Sequence, residues 1–264
     1  MGTLPPTMAG FVCIYYGNTG SSWLVDALDG SSAVWVPGFE PIEHWAWQAP
    51  TEERLAWLET LFTPPEDRRG DEFREWLEAL HRSPQATQDP VDRDFTLTGL
   101  KMADLAVVDP DALIDVIKRT DSKVIHLVRN NRLKHALSMY RYHDEAKSQF
   151  HGKDNYTATK VDSTLFKKWL KESERLHTQG VRLGELLDER LGSHRVTHLA
   201  YEDFTDAPGK EATLAHLAKF LGIPPEFGDG SFIKATPDSL KTAIANYRTF
   251  YFRYRFTPYA PHLD

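Results

Sequence analysis

Apolar and polar positions along the chain follow two rhythms that alternate. Phe11 to Tyr16 is a continuous β-prone run that stops at Gly17-Asn18-Thr19-Gly20, after which Ser21 to Leu28 takes up helical spacing. Ala33 to Val36 predicts a short second strand ending at Pro37-Gly38. Amphipathic spacing then predicts helices over about Thr51 to Phe62 and Gly70 to His81, separated by Thr63-Pro64-Pro65, and Ser83 to Asp94 reads as a polar loop. Phe95 to Met102 is strand-like. Asp109-Pro110 opens a helix running to about Arg119 with Pro in its first turn, and Lys123 to Val128 is a strongly apolar strand. Leu133 to Tyr142 is helical again, and the loop His143 to Lys160 leads to a long helix from about Ser163 to Arg190. Arg195 to Leu199 predicts a further strand. Pro208 to Leu221 predicts a helix closed by Gly222-Ile223-Pro224, and a last helix is expected from near Pro237 toward Tyr254.

Strands separated by helices of ten or more residues predict an α/β fold, with a central parallel sheet covered by helices on both faces. There is no internal repeat and no long linker, so one domain spanning 1–264 is expected.

Composition narrows the class. With 264 residues, 41% of them hydrophobic and 12% aromatic, the chain has far more buriable surface than a disordered protein carries. The apolar run from Met8 to Tyr16 is too short to cross a bilayer, so no integral membrane segment is expected. A single cysteine, Cys13, can form neither an intramolecular disulfide nor a zinc cluster, and a reducing, cytoplasmic setting is the expectation. The formal net charge of −7 argues against nucleic acid as a partner. Its distribution is uneven. Lys118 to Arg141 holds seven basic residues against one acid, whereas Glu40 to Asp94 holds fourteen acids against six Arg, so one local surface is suited to a small anion.

Two segments have the chemistry to bind anions. Gly17-Asn18-Thr19-Gly20-Ser21-Ser22 joins a strand to a helix, where free backbone N–H groups and the hydroxyls of Thr19, Ser21 and Ser22 face a phosphate; the plainer alternative is an ordinary turn with Ser caps. The nucleoside-triphosphatase pattern, with Lys directly after the last Gly, is absent, which disfavours a kinase. The second segment places Arg129 at a strand end and Ser138 nine residues on, in the next helix, as a fork and a neutral donor for one phosphate; the alternative is a solvated basic helix start. Two anion sites on two strand ends suit a ligand with two phosphate-type groups.

At these residues the chain resembles the sulfotransferases that use 3′-phosphoadenosine-5′-phosphosulfate (PAPS). Their first motif is matched by Gly17-Asn18-Thr19-Gly20-Ser21-Ser22-Trp23-Leu24, and their 3′-phosphate motif by Leu127 to Leu133 continuing through Ala136-Leu137-Ser138. The Arg-to-Ser spacing is most similar to the bacterial branch acting on carbohydrates and glycolipids. Tyr201-Glu202-Asp203-Phe204 resembles a segment in which the Tyr helps hold the adenine side, and Thr98-Gly99-Leu100-Lys101 resembles a strand carrying a Lys toward the sulfuryl group. The resemblance implies the P-loop-like sulfotransferase fold, PAPS as co-substrate with desulfated PAP as product, no metal, and a small-molecule, carbohydrate or lipid acceptor. Glu40 of Glu40-Pro41 resembles an acceptor-loop base, with His44 as the second choice.

One departure bears on activity. Asn18 stands where that family usually has Arg or Lys, and a neutral amide stabilises a developing phosphate charge less than a cation does. Either Lys101 supplies that charge, or the chain binds the nucleotide without transferring sulfate. Elsewhere, His126 inside an apolar strand reads as a core histidine, and His194 and His198, on one strand face without a third ligand, do not make a metal site.

Overall fold

The computed structural model describes residues 9–36, 50–63, 95–103, 109–144, 157–228, 237 and 239–263. The expected helix over Gly70 to His81, the loop Ser83 to Asp94, and both candidate bases, Glu40 and His44, lie outside them.

Five strands form one parallel sheet in the order β2-β3-β1-β4-β5. They are β1 (Ala9–Tyr15), β2 (Val34–Trp35), β3 (Leu97–Ala103), β4 (Lys123–Val128) and β5 (Val196–Ala200). From β1 the chain goes first to the edge strand β2, returns to β3 beside β1, then crosses to β4 and β5 on the other side. The reversal of direction at β1 opens a crevice at its carboxyl end.

Alternation along β1 divides the core into two. Val12 and Ile14 point to one face and pack with Leu100, Met102 and Val124 against α2 (Thr51–Phe62), α3 (Pro110–Arg119) and the end of α5 (Ser163–Leu191). Phe11, Cys13 and Tyr15 point to the other and pack with Ile125 and Leu127 against α1 (Ser21–Asp29) and α6 (Ala207–Leu221). Because both faces are covered, the strands read as unbroken apolar runs. Each large side chain buried here adds about 1.5–3 kcal/mol relative to exposure. Gly99 is required by this packing: a Cβ there would stand 2.0 Å from the Phe11 ring.

A further layer of helices stands beyond the carboxyl ends of the strands. α5, at 29 residues about 43 Å long, runs antiparallel to the strands. Its second half packs on the sheet through Leu187 and Leu191, and its first half projects past the sheet's end. α4 (Arg132–Asp144) starts at the end of β4 and rises along that projection. Leu133, Leu137 and Tyr140 of α4, Phe166 and Leu170 of α5, and Phe250 and Tyr254 form a second core.

The expected last helix is two. α7 (Leu240–Ala243) ends at an extended Ile244, and α8 (Tyr247–Tyr254) begins three residues later. The break comes from long-range pairing. Thr159 N–H donates to Ala243 O (2.9 Å) and Ala245 N–H donates to Thr159 O (2.8 Å), while the Asn246 amide bonds both backbone groups of Val161 at 2.9 Å. Local helical spacing is overridden by a bridge to a segment more than eighty residues away.

Candidate active site at the strand ends

The β1–α1 connection, residues 16–20, is shaped by two left-handed backbone positions, Asn18 (φ 63°) and Gly20 (φ 81°). Asn tolerates this region better than most side chains do, and glycine enters it freely. At Gly20 glycine is doubly required, since a Cβ would meet the Tyr201 ring at 2.7 Å.

Two buried donors from the β4–α4 unit pull on consecutive carbonyls of this loop. His135, fully buried on α4, donates from Nε2 to Gly17 O at 2.7 Å, and its Nδ1 accepts from the Ser173 hydroxyl at 2.8 Å. Arg129 donates from Nη1 to Asn18 O at 2.8 Å. In a trans peptide the N–H points opposite to the C=O, so holding these carbonyls inward turns the N–H groups of Asn18 and Thr19 outward. Burial, reinforced by the Arg129 charge, pushes the His135 pKa down to about 3. The ring is therefore neutral at pH 7, which the acceptor role of its Nδ1 requires.

The helix that follows is uncapped. Gly20 is the N-cap of α1, no side chain among the described residues caps its N–H groups, and no acid lies in the first turn. Its first N–H groups and the positive end of its dipole are available to an anion. Thr19 is fully buried and its hydroxyl has no hydrogen-bond partner among the described residues; the same holds for Nε of Arg129, a residue 5% exposed. Unpaired buried polar atoms cost about 1–3 kcal/mol each, so both atoms would gain from a ligand oxygen. Donors, dipole and orphaned polar atoms fit a phosphate group.

A second cation reaches the same place from β3. Lys101, 3% exposed, donates from Nζ to Ser22 Oγ at 2.8 Å and stands 5.3 Å from the Tyr15 ring centre. Cys13, its register partner on β1, has its thiol pKa pushed up to about 12 by burial, only partly offset by the Lys101 charge, and is inert as a nucleophile.

The β4–α4 connection differs. The Glu202 carboxylate accepts from the backbone N–H groups of Asn130 and Asn131, at 2.9 Å each, and Asn131 Oδ1 accepts from Lys134 N–H at 2.9 Å. Tyr16, just past β1, ties this loop to the sheet: its hydroxyl donates to Arg129 O (2.8 Å) and accepts from Arg129 N–H (2.7 Å).

Gly17, Asn18, Thr19, Gly20, Ser21, Ser22, Lys101, Arg129 and Tyr201 thus meet at one place. Tyr201, in the turn Tyr201–Phe204 after β5, lays its ring on Gly20 and 4.3 Å from the Arg129 guanidinium carbon. Trp23 stacks on Phe204 at 5.4 Å, with Lys210 4.9 Å from its ring centre. Ser138 is half-buried on α4, one turn past His135. His126 is buried and donates from Nδ1 to His198, which donates to Asp188 at 2.9 Å. His194 stands in the turn before β5 rather than on the strand beside His198.

Sequence reasoning overlooked Tyr16, His135 and Ser173, and named Glu202 only as part of a motif. Tyr16 closes an apolar run and His135 sits among apolar helix positions, so their one signal was a polar group where the pattern called for a hydrocarbon.

Comparison with known proteins agrees in kind. Residues 19–227 match the model of the sulfotransferase family. Among solved structures the chain is similar to a sulfotransferase from Alicyclobacillus acidocaldarius (14% identity, 96% of this chain and 92% of that one, TM-score 0.47). It is also similar to the sulfotransferase domain from the curacin biosynthetic pathway (16%, 98% and 94%, 0.46) and to a mouse sulfotransferase complexed with PAP (17%, 82% and 60%, 0.42). No curated protein sequence matches.

Proposed function

The chain belongs to the sulfotransferase family, and on that premise we propose that it moves the sulfuryl group of PAPS to a hydroxyl of a small-molecule, carbohydrate or lipid acceptor. The observation that carries this reading is the uncapped start of α1, with a buried Thr19 hydroxyl that has no partner among the described residues at its mouth and the Lys101 ammonium beside it. When bound, the nucleotide supplies an activated sulfuryl group, whose bond to the 5′-phosphate oxygen breaks as the acceptor oxygen bonds to sulfur. Everything else is done by the chain.

Gly17 to Ser22 hold the 5′-phosphate side by backbone N–H groups and hydroxyls. Arg129 and Ser138 hold the second phosphate, and Tyr201, with Trp23, bounds the adenine side. Lys101 takes the place of the cation that Asn18 lacks, stabilising negative charge as it develops on the leaving oxygen. A buried ammonium does this without the reorganisation that water would need. Glu40, or His44 in its stead, removes the acceptor proton.

Single-turnover assays with PAPS over sugars, glycolipids and phenols test the reading. Lys101→Ala should lower turnover at least about 100-fold while PAP affinity changes much less, as for an interaction made in the transition state. Asn18→Lys should raise turnover or leave it unchanged. A wild type that binds PAP but sulfates nothing, and gains activity with Asn18→Lys, would make the chain a nucleotide binder instead. An active wild type indifferent to Lys101 would remove Lys101 from the site.

A further inference from the structure

The C-terminal helix pair is a second basic stretch of the chain. From Ser239 to Leu263 the sequence holds Lys241, Arg248, Arg253 and Arg255 and no Asp or Glu, in a chain of net charge −7. The same stretch is dense in aromatic residues, and α8 sorts them onto two faces. Phe250 and Tyr254 are buried against Phe166 of α5, with ring centres 5.0 and 6.0 Å away, which fixes the helix in place. Arg248, Tyr251, Phe252 and Arg255 follow the i, i+3, i+4, i+7 spacing of the opposite face, and Phe256 comes one position further on.

That outer face is exposed. Phe252 is 50% and Phe256 84% accessible, and the Arg255 guanidinium carbon stands between their rings, 4.4 and 4.3 Å from the two centres. A Phe that could fold back on its own core and instead projects into water costs hydrophobic free energy, and several together mark a contact surface. Two features choose the occupant. A two-fold related copy of this chain would bring together two patches of like charge, each carrying Arg248, Arg253 and Arg255, which is repulsive. Phe256 projects singly beyond the helix end, with cations at the level of the rings, a shape suited to a deformable layer that takes rings below and phosphates above.

We infer that the outer face of α8 is an anchor for an anionic lipid surface, with Phe252 and Phe256 entering the interface and Arg248 and Arg255 pairing with headgroup phosphates. The C-terminal segment that follows α8 touches the β4–α4 loop, where Asn131 Nδ2 donates to His262 O at 3.2 Å. The inference is independent of the proposed chemistry, because its test needs no nucleotide and no turnover.

Full-length protein is sedimented with large vesicles of equimolar phosphatidylglycerol and phosphatidylcholine, or of phosphatidylcholine alone. Binding to the anionic vesicles should exceed binding to the neutral ones by about tenfold or more and fall with salt. The pair Phe252→Ser with Phe256→Ser, and the pair Arg248→Gln with Arg255→Gln, should each cost about tenfold. A second readout reports on position 256 itself. Cys13 is the one cysteine of the sequence and is buried, so Phe256→Cys creates a single accessible thiol for a polarity-sensitive dye. Its emission should shift to the blue on anionic vesicles. Equal partition onto both vesicle types, or a dye that does not respond, overturns the inference. So does self-association, or capture of an acidic protein, that depends on these residues in the absence of vesicle binding.

Discussion

The β1–α1 and β4–α4 loops stand side by side at the carboxyl ends of adjacent parallel strands, and each leads into a helix N-terminus. By topology alone they are equivalent anion sites. Their satisfaction is opposite. Among the described residues the first turn of α1 has no side-chain cap and no acid, and the buried Thr19 hydroxyl beside it has no partner. At α4 the Glu202 carboxylate takes the two N–H groups just ahead of the helix, those of Asn130 and Asn131, and Asn131 Oδ1 caps the first turn at Lys134 N–H. One loop keeps its donors for a ligand. The other spends them on the fold and uses the resulting rigidity to aim Arg129 and His135 at the carbonyls of the first. The lesson is that a helix N-terminus becomes a candidate site only once its internal acceptors have been accounted for.

Arg129 joins the two loops, so removing it should have the largest effect. Arg129→Ala should weaken PAP binding by about 2–4 kcal/mol, through loss of a charge-assisted fork and of the anchor on Asn18 O. Isothermal titration measures this directly. Unchanged affinity would mean that the first loop holds its shape unaided, and the two regions would be independent.

Acid should break the anchoring from the other end. The His135 pKa is about 3 in the folded state against about 6.5 for an exposed imidazole, so the unfolded chain takes up the proton first. Stability from this group is complete above about pH 6.5 and is lost as pH falls toward 3, amounting to about 2 kcal/mol by pH 5. His126, held at about 4 chiefly by burial, acts in the same direction. Urea melts at pH 7 and 5 should show the loss, and His135→Gln, which keeps a donor for Gly17 O without a titrating ring, should reduce the difference. An equal loss in that variant would clear His135 of the role.

Thr19→Val separates binding from stability. It replaces an orphaned buried hydroxyl with a methyl of like shape, so the ligand-free protein should become more stable by about 1 kcal/mol while PAP affinity falls by a similar amount. Thermal melts with and without PAP read both. If stability falls instead, the hydroxyl is already satisfied and the loop is not open.

The smallest change is expected at the filled loop. Glu202→Gln keeps the shape of the side chain but removes its charge and one of its two acceptors, so the protein should lose about 1 kcal/mol of stability. PAP affinity should change less than with Thr19→Val. A larger loss of affinity at Glu202 than at Thr19 would reverse the ranking of the two sites.

Much of this was readable in one dimension. Phe11 to Tyr16, Lys123 to Val128 and the long helix from Ser163 stand where hydrophobic rhythm placed them, because strands buried on both faces and long helices have patterns that little else can override. The first loop was legible too, since its glycines and hydroxyls are local, and Arg129 announced itself at a strand end.

What only the tertiary structure decided depends on contacts between distant segments. The break at Ile244 requires Thr159, and no window around residue 244 contains it. That Arg129 leans on Asn18 O, that His135 supports Gly17 O, and that Glu202 takes the N–H groups just ahead of α4 are pairings across 71 to 118 residues of chain. Lys101 lies 79 residues from Ser22, and only the β1–β3 register sets its ammonium at the start of α1. Residue type along the chain determined which chemistry was present. Which donors were consumed by the fold and which were left for a ligand was decided by packing, because a hydrogen-bond donor is spent by whatever acceptor the folded chain brings within about 3 Å of it.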